Sequence, residues 1–121
     1  MVTIGDAELE LMKVLWKADA PLTAQEIGAA VAHRGWKRTT IATFLARLAE
    51  KGVVHSEKHG KVCYYTPRIT ARDYKKMQVR RLMTTLFNGS ARDMAVSLFE
   101  EAALSEQDVH ALRALFDEKE G

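Results

Sequence analysis

The chain has 121 residues, 47% apolar and 28% charged, the balance of one folded domain with or without a short appendage and not of a disordered tract. No run of about 18 apolar residues is present to span a bilayer and no signal architecture opens the chain, so no membrane insertion and a cytoplasmic location are expected. The net charge is only +2, and the single cysteine, Cys63, excludes an internal disulfide, which fits a reducing compartment.

Leu9, Met12, Leu15 and Trp16 recur at helical spacing and predict a first helix over 6–17, broken at Ala20-Pro21-Leu22. Thr23-Ala24-Gln25-Glu26 has the form of a capping box, in which hydroxyl and carboxylate each satisfy a free amide at the start of a second helix. Ile27, Ala30 and Val31 give that helix a narrow apolar face, and Arg34-Gly35 ends it. In the third helix, over 38–51, Ile41, Phe44, Leu45 and Leu48 cluster on one side. Thr39, Thr43 and Arg47 fall on the other, with Thr40 flanking, and Gly52 stands where a left-handed terminating residue belongs. Residues 53–58 and 61–66 then read as two strands joined at His59-Gly60, with Pro67 closing the second. Three short helices and a hairpin are the order of a winged helix-turn-helix domain, placed at residues 1–68.

Residues 69–121 read as helices only. Thr70, Ser90 and Ser105 each precede an acid by three positions, a helix-start pattern, and Asn88-Gly89 interrupts the run. The fold class is therefore mainly α with a small β-hairpin. The C-terminal part poses a burial problem, because Leu82, Leu86, Phe87, Met94, Leu98, Phe99, Leu112, Leu115 and Phe116 are many large apolar side chains for so short a stretch. Left bare they would exceed the patch a monomer normally tolerates. A twofold partner covering them is the simplest solution, which makes these residues the expected interface of a homodimer. The alternative is that the helices fold back on the winged domain.

The charge is unevenly spread. Residues 33–61 carry seven bases against two acids, and residues 100–121 carry seven acids against two bases. A polyanion would dock on the first segment and not the last. Threonine offers a hydroxyl to base edges or phosphates and a methyl to thymine, and arginine forks onto guanine or a phosphate. Thr39, Thr40, Thr43 and Arg47 are thus candidates for reading double-stranded DNA, with Lys37 and Arg38 placed to hold the backbone. Lys58, His59 and Lys61 surround the hairpin tip and would lie on a flanking phosphate or in the minor groove, unless they form only a solubilising turn. Tyr64 and Tyr65 point to opposite faces, so one serves DNA at most.

His55, His59 and Cys63 are four apart, but on a hairpin equal spacing does not converge, so no metal site is expected. No cofactor motif or catalytic constellation occurs, and Cys63 between Val62 and Tyr64 reads as a packed thiol. The chain is not expected to be an enzyme. Two rivals to DNA reading share the fold: a winged-helix protein-interaction module docking an acidic partner, and a small-molecule or metal sensor.

With these residues in place, the chain resembles the penicillinase-repressor (BlaI/MecI) family of bacterial winged-helix repressors. The resemblance rests on Asp6-Ala7-Glu8 with Met12 and Leu15-Trp16, on Trp36 through Gly52, on Tyr65, and on Phe87-Asn88-Gly89-Ser90. It implies a homodimer on an inverted-repeat operator with TACA/TGTA cores, controlling antibiotic-resistance or stress genes, metal handling among them. It also implies that Lys37, Arg38, Thr39, Thr40, Thr43 and Arg47 face DNA, and in the β-lactam-responsive branch that a membrane sensor protease is a partner. The chain departs from the pattern in three places. Gly5 replaces a serine helix cap. Leu98-Phe99 stands, with a one-residue gap, where those repressors are cut between asparagine and phenylalanine. The C-terminal cysteine cluster of the copper-responsive branch is missing.

Overall fold

The computed structural model describes residues 3–101 and 103–120, with the side chains of the last two left aside. In chain order the elements are α1 (Asp6–Lys17), β1 (Leu22–Thr23), α2 (Ala24–Ala30), α3 (Arg38–Glu50), β2 (Val54–His59), β3 (Val62–Pro67), α4 (Ala71–Phe87), α5 (Ala91–Glu100) and α6 (Glu106–Glu120). A single 3-10 turn, Ala32–Arg34, follows α2 and ends on Gly35 at φ 68°.

Residues up to 75 form one compact unit. Its core is built from Leu11, Met12 and Leu15 of α1, Ile27 of α2, Ile41, Leu45 and Leu48 of α3, and Val53 and Val54 at the start of the hairpin. These are the apolar stripes of three amphipathic helices, brought together because each stripe can leave water only against the others. Tyr74 in the first turns of α4 joins the same cluster. Its ring lies 5.8 Å from that of Trp16, whose indole nitrogen donates to the carbonyl of Ile69 over 2.8 Å. The first unit therefore reaches into α4.

Local chemistry sets the helix ends. The capping box on α2 is complete: the Glu26 amide donates to Thr23 Oγ1 (3.1 Å) and the Thr23 amide to Glu26 Oε1 (3.0 Å). At the end of α3, Gly52 at φ 77° lets its amide reach the carbonyl of Ala49 while the Val53 amide reaches that of Leu48. That double closure is a Schellman motif, in which a residue with a Cβ would be strained. Gly5 caps α1 with no side-chain bond.

The sheet has the order β1-β3-β2, all antiparallel. A third strand, β1, was not expected: Leu22 and Thr23 pair with Tyr65 and Tyr64. The hairpin register also differs from expectation. His59 pairs with Val62, so the two turn residues are Gly60 and Lys61 and not His59 and Gly60. Gly60 has φ 66°, whereas Lys61 lies outside the positive-φ region. Hairpin turns need positive φ at their first central position, and glycine takes it without strain where histidine would not. Because opposed residues share a face, Val54, Ser56, Lys58, Cys63 and Tyr65 lie on one face, where Val54 is buried but Ser56 and Lys58 are exposed, and His55, Glu57, His59, Val62, Tyr64 and Thr66 lie on the other.

Residues from 76 onward form the second unit. Asn88 (φ 49°) and Gly89 (φ 82°) separate α4 from α5. Ser90 and Ser105 cap the next two helices by accepting from the amides of Asp93 and Asp108. No described helix is long and apolar enough to cross a membrane.

Candidate nucleic-acid interface

α3 is held in the first unit by its apolar stripe. Ile41, Leu45 and Leu48 are buried, and Phe44 packs half-buried against Trp36 with ring centroids 5.3 Å apart. The stripe fixes what remains outside. Thr39, Thr43 and Arg47 are exposed, and Thr40 is half-buried at the margin. Thr43 Oγ1 donates to the carbonyl of Thr39 at 2.9 Å. Lys37 is the N-cap of α3 but makes no side-chain capping bond, and Arg38 beside it is exposed.

Not every base in this segment is available to a polyanion. Lys51 donates to both oxygens of Glu8, and Arg34 Nε lies 3.3 Å from Glu10 with its guanidinium 4.8 Å from the centre of the Trp36 ring. Both carboxylates belong to α1, distant in sequence, so a count of charges along the chain overstated the free ones. Lys37, Arg38, Arg47, Lys58 and Lys61 form no ion pair among the described residues. They lie at the start of α3, on its outer face and at the hairpin tip, a distribution suited to a phosphate backbone running past helix and wing.

On the hairpin, Lys58, His59 and Lys61 are all exposed, and His59 lies 3.6 Å from Glu57 and 5.6 Å (ring to ring) from Tyr64. Glu57, His59 and Tyr64, with His55, Thr66 and Pro21, line a groove of about 310 Å³ on the outward face of the hairpin, to which Lys58 and Lys61 do not contribute. Cys63 lies on the opposite face from His55 and His59, and no group of three metal-ligating side chains gathers among the described residues. Tyr65 packs against the core, where burial pushes its phenol above the ordinary value of 10.0 and the neighbouring Cys63 adds to the shift through its charge.

In the second unit, Leu86, Phe99, Leu115 and Phe116 are 66%, 61%, 60% and 68% exposed, and Leu82, Leu98 and Leu112 are also open to solvent. Phe87 and Met94 are half-buried. Leu112, Leu115 and Phe116 line one side of an apolar groove on α6 with Glu118.

Comparison with known proteins gives a consistent result. The family model described as penicillinase repressor matches residues 4–118. A penicillinase repressor of Bacillus licheniformis is 34% identical over 115 residues, covering 95% of this chain and 90% of its own length. A solution structure of the DNA-binding domain of the repressor BlaI superposes with a TM-score of 0.53 at 40% identity, over 61% of this chain and 94% of that one. A solution structure of monomeric B. licheniformis BlaI in complex with the blaP half-operator gives a TM-score of 0.51, also at 40% identity, over 60% and 89%.

Proposed function

The chain belongs to the penicillinase repressor family, whose members are DNA-binding transcriptional repressors and not enzymes, and we propose that it acts as a homodimer that blocks promoters at an inverted-repeat operator. What supports DNA reading is α3. Its inner face is fixed in the core, its outer face carries Thr39, Thr43 and Arg47, and the unpaired bases flank it on both sides. Thr40 completes the base-facing set, with Lys37, Arg38, Lys58, His59 and Lys61 on the backbone. The relative bound to the blaP half-operator lends weight to this assignment.

What supports the dimer is the apolar surface of α4 to α6. Leu82, Leu86, Phe87, Met94, Leu98, Phe99, Leu112, Leu115 and Phe116 would lose their water contact against a second copy. Two recognition helices related by the dimer axis would enter major grooves about one helical turn, or a multiple of it, apart. The protein would act where its operator lies, in the bacterial cytoplasm. Relief by a membrane sensor protease would act at Leu98-Phe99 in α5, where both side chains are exposed but the backbone is helical, so cleavage would require that turn to open first.

Selection of bound duplexes from a random pool tests the whole reading. The expected result is an enriched inverted repeat. An enriched single half-site would overturn the dimer, and no enrichment at moderate salt would favour the protein-interaction rival.

A further inference from the structure

We infer that Glu8 and Lys51 form a positioning pair that sets how α3 lies on DNA, so that both govern sequence preference although neither touches DNA. The inference rests on α3 being the reading helix. Lys51 caps the C-terminal end of α3, and its Nζ donates to Glu8 Oε1 at 3.0 Å and to Oε2 at 2.8 Å. Glu8 lies in the first turn of α1 and is 7% exposed, the one charged residue in the buried class among the described residues. A carboxylate so removed from water is costly unless its charge is met, and withdrawing the ammonium would strand it. Lys51 is therefore committed to one geometry, unlike a lysine on an open helix end, whose ion pairs contribute little.

The middle of α3 is tied to the same helix by a second route. Glu10 meets Arg34, Arg34 lies over Trp36, and Trp36 meets Phe44 edge-on. Packing of Ile41, Leu45 and Leu48 supplies most of the adhesion, but apolar contact has no preferred direction and permits small rotations and slides. A charge-assisted bond to both oxygens of a carboxylate is directional. Base edges are read through hydrogen bonds that tolerate only a few tenths of an ångström, so a small tilt of α3 would cost discrimination before it cost folding.

The test uses the full chain, a duplex recovered by the unaltered protein from a random pool, and a scrambled duplex of equal length. Glu8→Gln and Lys51→Met are each expected to lower the ratio of selected to scrambled affinity about tenfold, and the double variant no further, because the two act as one unit. The dependence of affinity on salt should not change. Lys51→Arg keeps the charge and can fork onto the carboxylate, so it should retain most of the preference. It also keeps the test decisive should either neutral variant fail to fold, since a full loss of preference in folded Lys51→Arg would overturn the pair. A salt slope lowered by about one in Lys51→Met, with Glu8→Gln unaffected, would overturn the inference by making Lys51 a phosphate contact. An unchanged ratio with only a lower thermal midpoint would reduce the pair to a stabilising contact. If the unaltered protein selects no duplex, the repressor reading falls and this inference with it, an outcome distinct from the other three.

Discussion

Thr43 donates its hydroxyl proton to the carbonyl oxygen of Thr39, 2.9 Å away and one turn back along α3. A threonine bonded in this way leaves only lone pairs on its hydroxyl for an outside partner, and its methyl becomes the more distinctive group it can offer. Two residues on the exposed face therefore form one local unit.

If the Thr43 methyl meets a thymine, Thr43→Val should keep the sequence preference and Thr43→Ser should lose it. The expected cost of the serine variant is about 1 kcal/mol, the worth of one buried carbon. Competition binding against duplexes with each base at each position checks this; a serine variant equal to the parent would count against the methyl contact.

Arg47 is exposed, lies one turn beyond Thr43 and is free of any ion pair among the described residues. Arg47→Ala should cost about 1–3 kcal/mol on the selected duplex and relax preference at one base position. A loss equal on every duplex would instead assign Arg47 to a phosphate.

Lys61 occupies the second turn position of the hairpin, beside Gly60. Lys61→Ala should weaken all duplexes alike and lower the salt slope by about one. A change in base preference would place Lys61 in a groove and not on the backbone.

Leu86 and Phe99 are among the most exposed apolar residues of the second unit. Replacing both by glutamate should convert a dimer into a monomer that binds one half-site weakly, because charge cannot be buried against charge without compensation. Sedimentation velocity at micromolar concentration is the measurement, and a parent chain that is itself monomeric would sink the interface.

Tyr65 predicts the behaviour at high pH. Its phenol is raised above 10.0 in the folded chain, so the folded state holds that proton more tightly than the unfolded state does. Its contribution to stability is complete below pH 10 and is lost as pH rises through the folded value. The urea midpoint of the parent should therefore fall more steeply above pH 10 than that of Tyr65→Phe; parallel curves would contradict the assignment.

Much of the architecture could be read from residue order. The stripe Ile41, Leu45, Leu48, the capping box at Thr23 and Glu26, and the left-handed Gly52 all depend on neighbours within a few positions, which is why α1, α2 and α3 fall where periodicity placed them. The outward position of Thr39, Thr43 and Arg47 followed from the same stripe, since a helix with one face in the core has the other in water.

What the chain order could not disclose depended on contacts between distant segments. Two residues are too few to show alternation, so β1 exists only because β3 offers Leu22 and Thr23 an edge to pair with. Above all, Lys51 and Arg34 count as free bases in the sequence, and folding gives each a carboxylate on α1, 43 residues away for Lys51. Residue order determined which face of α3 is polar, because helical periodicity is local. Tertiary structure decided which charges remain free to meet DNA and how firmly that face is aimed, because a charge finds its partner through space.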